Sequence, residues 1–589
     1  MSFQSGYRSS RNMPLPRHSH GKWSLALVLI WLVSGATAAP SHELQHRLQA
    51  AKAVQWRMPF SANSTVVHLL AINDFHGQIG PGKQVAGRPV GSAPVLQGYL
   101  AAAGAGDGQT LIAEVGDLVG GSPPLSALLQ DEPTVMWFNG LGNRFCAKPS
   151  HPRCNLVGTI GNHEFDEGLG ELQRLLDGGN HPKGPFLENP WAGARFPVVS
   201  ANIHKDGKPL WPASVIKQVQ GVRVAFVGAV LHNLASVVSP SAIAGLTIED
   251  EVTAINRVVP ELQRRGIHAI VALIHQGGHQ GAYEGVTNDL ASPPDGVITT
   301  IAQQLDADVD VVLSAHSHSF SNALVERPGE PPVLVTQAFS SGTAYADLTL
   351  EISRQNGEVV AKSARIVTTF ADEGPGLAPD PQAQGLVEAA QARVAPLVDQ
   401  VAGTAPQPIS AQANEAGESA MGDLIAAAQR QAMGSDFAFT NPGGIRADLD
   451  AGPVTYGEVF AIQPFGNVLV QLAMTGSQIK ALLEAQWQGD YPRILAPAGL
   501  RYTWQASAPA GSRVIALNRE DGEPLADQAI YTVTVNSYLA DGGDQFSLLA
   551  DPALSRITGP ADVDALWAYL QAQGGTIMAP EPGLIQRLP

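Results

Sequence analysis

The chain has 589 residues, 44% hydrophobic and 15% charged. That is ordinary globular composition rather than that of a disordered chain, and the length exceeds one core, so two or more domains are expected. With 36 basic and 53 acidic residues the formal charge is −17. A global negative field argues against a DNA- or RNA-binding surface, but a small anionic substrate stays possible because a bound metal cluster sets its own local field.

Arg8, Arg11, Arg17 and Lys22 precede the apolar stretch WSLALVLIWLV and then SGATAAP. A basic region, a short hydrophobic region and a small-residue site predict an export signal over residues 1–38, cut after Ala38 at Ala36-Thr37-Ala38. The apolar run is short for a bilayer span, and no later stretch of spanning length follows. The mature protein is therefore expected in the periplasm or secreted, without a stable membrane anchor.

From Thr65 to about Ile366, buried-type apolar runs alternate with Gly- and Asn-bearing loops and with stretches of helical spacing such as EVTAINRVVPELQRRG and GVITTIAQQL, a βα pattern. Five of the runs end on a metal-ligand residue type. HLLAIND closes on Asp74, TLIAEVGD on Asp117, LVGTIGN on Asn162, AIVALIH on His275 and VDVVLSAH on His316, with His76 and His318 two residues beyond the first and last. If these runs are strands of one sheet, the seven side chains converge on one rim, where open α/β sheets bind ligands. The two cysteines, Cys146 and Cys154, are expected to pin a local loop as a disulfide in an oxidising compartment. A Pro/Gly/Asp-rich break spans residues 371–382. GLVEAAQARVAPLVDQVAG then reads as a connector helix, interrupted or restarted near Pro396 and ending before Gly403. A second αβ pattern begins at Thr404.

His and Asp ligands suit Zn, Mn, Fe or Co better than Ca or Cu(I). Two divalent cations held by two carboxylates and neutral Asn and His keep net positive charge for a phosphate and a hydroxide. Gly120 and Gly121, after Asp117, allow close backbone approach. If EFDEG opens a helix, Asp166 can reach back to His163 and hold its tautomer, leaving His163 to protonate a leaving oxygen. Asp166 could also cap that helix.

The loops NDFHGQ, GDLVGGSP, GNHEFDEG, IHQGGH and SAHSHSF together resemble those of calcineurin-like metallophosphoesterases, specifically the 5′-nucleotidase and UDP-sugar hydrolase family. The resemblance implies an α/β chain. A four-layer αββα metallophosphoesterase domain would span 64–375, a connector helix 376–403, and a C-terminal α/β 5′-nucleotidase-type substrate-binding domain 404–589. One metal would be held by Asp74, His76, Asp117 and His318, the other by Asp117, Asn162, His275 and His316, with His163 and Asp166 catalytic. In the second half, TNPGGIRADL, GEVFAIQPFGNVL and NSYLADGGDQF carry the likeness. By it, Phe465 and Tyr538 sandwich a nucleobase, Asn441 and Arg446 contact the phosphate region, Asn467 the base edge and Asp544 the ribose. Relatives often carry Phe where Tyr538 stands, and several carry an arginine before the helix here reading GESAMGDLIAAA, where this chain has Asn414-Glu415-Ala416-Gly417. The implied function is release of phosphate from nucleotides by a hydroxide held on two divalent ions. A 2′,3′-cyclic phosphodiesterase, a UDP-sugar hydrolase, a thiosulfate-ester hydrolase, or a non-catalytic nucleotide- or metal-binding protein stand as alternatives.

Overall fold

A computed structural model describes residues 63–488 and 491–589; the export signal lies outside the described residues. The five apolar runs are strands, but of two sheets rather than one. In the first sheet, Ser64–Ile72 runs parallel to Leu111–Glu114, which pairs in parallel with Leu156–Val157. On its other side Ser64–Ile72 is antiparallel to Ala344–Ser353, and Val359–Thr368 closes the edge. In the second sheet, Ile270–His275 lies between parallel strands Val222–Val230 and Val309–Ser314, and the latter is parallel to Glu330–Ala338. The antiparallel strands Ser214–Val219 and Phe320–Arg327 form its two edges.

Every residue of Ile270–His275 and of Val309–Ser314 is buried, as expected for strands covered on both faces. Val67, Leu69, Leu111 and Ala113 of the first sheet share a core with Phe226, Val271, Leu273 and Val311 of the second. The outer face of the first sheet places Leu70, Ile72 and Ile112 with Leu96, Leu100, Trp137 and Phe138, from the helices Ala93–Ala102 and Glu132–Leu141. On the outer face of the second, Ile270, Ala272 and Ile274 meet Ile255, Val259, Ile298 and Ile301 of the helices Glu251–Arg264 and Val297–Gln304. The result is helix, sheet, sheet, helix. Cys146 and Cys154 form a disulfide, and both are buried in the core beneath the first sheet.

The connector is one helix, Pro381–Val398, begun by Asp380, whose side chain accepts from Gln382 N and Ala383 N. Pro396 sits in its last turn and does not restart it, and the chain passes into the strand Val401–Ala405, so Gly403 lies in that strand. Ala383, Val387, Ala390 and Val394 are buried in the same core as Trp137 and Phe138, which docks the connector on the first half. Beyond it, a sheet has the order Ala496–Ala498, Phe437–Thr440, Ile530–Asn536, Val468–Thr475, Arg556–Ala561. The helix Ala420–Met433, capped by Ser419, buries Leu424, Ile425 and Ala428 beside it.

Candidate metal centre

The loops after the five strands come together. Asp74, His76, Asp117, His316 and His318 hold φ between 49° and 69°, a region that residues with a Cβ rarely adopt and that carries a strain of about 1 kcal/mol or more apiece. Cross-loop bonds hold them there. Asp74 N donates to Gly116 O at 3.1 Å and His76 N to Asp117 O at 2.9 Å, while His316 N donates to Asp74 Oδ1 at 2.8 Å.

The side chains fall into two overlapping groups: Asp74, His76, Asp117 and His318, and Asp117, His275 and His316, with the ligand atoms of each group within 4.8 Å of one another. Asn162 completes the second, its Oδ1 lying 3.2 Å from His275 Nε2 and 2.8 Å from His316 Nδ1. Asp117 Oδ2 faces both groups, 3.1 Å from His275 Nε2 and 3.7 Å from His76 Nε2. All seven predicted ligands are thus brought together.

The donor set fits cations. His76 Nδ1 is bonded to Gly120 O at 2.8 Å and His275 Nδ1 to Val115 O at 2.9 Å, so Nε2 of the neutral His76 ring carries a lone pair directed inward, and His275 presents one there once its Nε2 proton is displaced. His76 Nε2 meets His318 Nε2 at 2.9 Å, and His275 Nε2 meets two side-chain oxygens. Such convergence sets lone pairs against one another unless a proton or a metal cation lies between them. Burial opposes an imidazolium at His275, yet Asp117 outweighs it and pushes the group up to about 10. Burial raises the Asp117 carboxyl, but His275 and His163 together hold it well below its usual range. Burial, then His275, lowers His316 to about 4; burial, then Arg446, lowers His318 to about 3. These two are neutral imidazoles, the form that binds metal.

His163 stands beside this centre. Its Nδ1 lies 2.9 Å from Asp166 Oδ2, and the same oxygen accepts from Gly121 N at 3.0 Å. Burial lowers His163, but Asp166 and Asp117 outweigh it and the net shift is upward, toward the protonated form. EFDEG does not open a helix at once: His163–Phe165 is a single 3₁₀ turn, and the helix Gly168–Asp177 follows with no side-chain cap. Asp166 therefore serves His163 and the Gly121 backbone, not a helix end. Gly120 is required by that packing, since at φ 81° a Cβ would come within 2.3 Å of His163 O and 2.7 Å of Asp166 Oδ2.

From the second half, Phe465 stacks on His163, centroids 5.7 Å apart and planes at 16°, and the Arg446 guanidinium lies 5.6 Å over the Phe465 ring. Tyr538 packs over Gly543 and donates to Asp544 Oδ1 at 3.0 Å. In this arrangement no ring contact between Phe465 and Tyr538 occurs among the described residues. Asn441 is buried, and its Nδ2 donates to Asp544 Oδ2 at 2.8 Å. Asn467 Oδ1 accepts from Ser537 Oγ at 3.0 Å and Tyr538 N at 3.2 Å, which ties the Phe465 loop to the Tyr538 loop.

Two residues that hold the centre together escape sequence reasoning. Glu164 accepts from Gly161 N at 2.6 Å and Asp117 N at 3.0 Å through Oε2, and from Leu118 N at 2.7 Å through Oε1. It thereby staples the Asp117 loop to the Asn162 loop. Asn73 Nδ2 donates to Asp74 Oδ2 at 2.6 Å. The available signal is position alone: each is a polar residue one or two places from a ligand, where a turn former would read the same.

The four-layer α/β fold, the Asp/His/Asn cluster sharing Asp117 and the adjacent His–Asp pair together mark the metallophosphoesterase class. Residues 67–320 match the calcineurin-like phosphoesterase family and residues 400–551 the 5′-nucleotidase C-terminal domain. The chain is 33% identical over 530 residues to the endonuclease YhcR of Bacillus subtilis, covering 88% of this chain and 41% of that protein. It is 30% identical over 568 residues to the cell wall protein Lmo0130 of Listeria monocytogenes, covering 89% and 69% respectively. A 5′-nucleotidase precursor from Thermus thermophilus superposes with a TM-score of 0.72 at 27% identity, over 89% of this chain and 99% of that one. The chain belongs to the 5′-nucleotidase family of metallophosphoesterases.

Proposed function

We propose that this protein is an exported phosphohydrolase that uses two divalent ions (Zn, Mn, Co or Fe) to release phosphate from nucleotides. The observation that carries the reading is the pair of ligand groups sharing Asp117 beside the His163–Asp166 pair. Asp74, His76, Asp117 and His318 would hold one ion, and Asp117, Asn162, His275 and His316 the other. The ions supply Lewis-acid stabilisation of charge on the phosphoryl oxygens and acidify water. Asp166 occupies His163 Nδ1, so the proton available to a leaving oxygen is held at Nε2. Arg446 contributes a planar fork for phosphate, and Phe465 and Tyr538 contribute rings able to stack on a base. We assign the chemistry to residues 64–375, connection to 376–403 and substrate recognition to 404–589. The disulfide and the relative named a cell wall protein support export, and no helix among the described residues is long and apolar enough to cross a membrane.

One observation favours a second reading, hydrolysis of 2′,3′-cyclic phosphodiesters or nucleotide sugars: the loop Asn414–Gly417 offers no arginine for a terminal phosphate. Phosphate release from AMP, ADP, UDP-glucose and a 2′,3′-cyclic nucleotide, with Mn, Zn or Co and again with chelator, separates the two. We expect metal-dependent turnover of AMP; turnover of none of the four contradicts both. The double variant Phe465→Ala, Tyr538→Ala should raise KM for AMP and spare p-nitrophenyl phosphate, and equal losses on both substrates would make the rings structural.

A further inference from the structure

Arg493 lies beside Asp544 in the second half and is 7% exposed. Its Nε lies 3.4 Å from Asp544 Oδ1, and its guanidinium sits 4.3 Å from the centre of the Tyr491 ring. Nε and Nη1 are buried and make no hydrogen bond among the described residues. A buried guanidinium with idle donors is costly, and it persists where a counter-charge compensates it. That counter-charge is Asp544.

Asp544 is itself hard to hold, with φ 54° followed by Gln545 at 68°. Tyr538 Oη donates to its Oδ1 at 3.0 Å and receives the Asp544 N–H at 3.0 Å. Asn441 Nδ2 donates to Oδ2 at 2.8 Å. Asn441 and Tyr538 bring no positive charge, so Arg493 is the one cation paired with this carboxylate among the described residues. The loop Asn414–Gly417 packs directly on the neighbouring Ile494, whose side chain would lie 2.7 Å from a Cβ at Gly417. An arginine therefore meets Asp544 from the segment beside that loop, where the loop itself has none.

We propose that Arg493 is a positioning residue that sets substrate specificity: it holds the Asp544 carboxylate, and through it Tyr538, in the geometry that receives the sugar of a ribonucleotide. This rests on the nucleotide reading above. Substitution of Arg493 removes the counter-charge while the metal centre keeps all its ligands. The effect belongs in nucleotide binding, not in turnover of small esters.

The test is steady-state kinetics of the full chain on AMP, 2′,3′-dideoxy-AMP and p-nitrophenyl phosphate. Arg493→Met should raise KM for AMP about tenfold, the scale of one charged contact, with kcat within about twofold and p-nitrophenyl phosphate unaffected. Arg493→Lys should recover part of the loss. In a cycle with Asp544→Asn the losses should be non-additive, because both act on one carboxylate. Arg493→Gln replaces the Met variant if that one does not fold. An unchanged AMP KM in a folded variant, equal losses on AMP, its dideoxy analogue and the aryl phosphate, or additive losses in the cycle overturn the inference alone. A wild-type enzyme that cleaves the aryl phosphate but no ribonucleotide overturns the nucleotide reading, and this inference with it.

Discussion

His163 and Glu164 are adjacent and do different work. Asp166 occupies His163 Nδ1 at 2.9 Å and leaves Nε2 to carry a proton, and His163 is not among the seven candidate ligands. His163→Ala should lower kcat by about 100-fold or more with metal content unchanged, measured by turnover and elemental analysis on one preparation; unchanged turnover would remove its acid role. Glu164 touches no reacting atom but collects four backbone N–H groups from two ligand loops. Glu164→Gln turns one acceptor into a donor and should weaken metal affinity by about 10- to 100-fold, as supporting residues of metal ligands do. A competition titration with a chromogenic chelator reads this directly, and wild-type affinity would show the staple to be dispensable. The seven candidate ligands were legible as a group because each follows an apolar run. Their left-handed backbone was not, since Asp and His at φ near 50° depend on bonds from loops far apart in sequence.

The elements carry a second ionisable feature away from the centre. Asp423, in the first turn of the helix Ala420–Met433, is buried and pushed up to about 8, by burial first and then by Glu418. In the folded state it keeps a proton that the unfolded chain releases near the ordinary carboxyl value of 3.8. Its contribution to stability is therefore lost as pH rises from about 4 toward about 8. Asp423→Asn, which mimics the protonated form, should change the melting temperature little at about pH 4. By about pH 8 it should gain on the order of 2 kcal/mol. A gain that shrinks as pH rises contradicts the assignment. Helices such as Glu251–Arg264 were readable from their period and the connector from its break, but Pro396 misled. In the last turn of a helix docked by Val387, Ala390 and Val394, packing overrides a single proline. The 3₁₀ turn at His163 was hidden for a similar reason, because the Asp117 and Gly120 loops, not local propensity, set its path.

On the scale of the molecule, the two sheets meet at the metal centre. Asp74, His76, Asp117 and Asn162 follow strands of the first sheet, and His275, His316 and His318 follow strands of the second. Each ligand group draws from both, so bound ions would tie the sheets together and raise stability with their concentration. A uniformly apolar run reads the same in either sheet, which is why sequence reasoning could not divide the five strands three and two. The cluster of Asn441, Tyr538 and Asp544 in the second half was less legible still. Phe465 and Tyr538 stood out as aromatics in Gly-bearing loops, whereas Arg493 had no motif to mark it. The most direct test of the shared centre is the metal-to-protein ratio of the purified chain and of two variants, Asp117→Asn and His316→Ala. A shared centre predicts two ions per chain in the wild type, loss of both with Asp117→Asn, and loss of one with His316→Ala. One ion in the wild type, or an Asp117→Asn chain that loses only one of two, would contradict it.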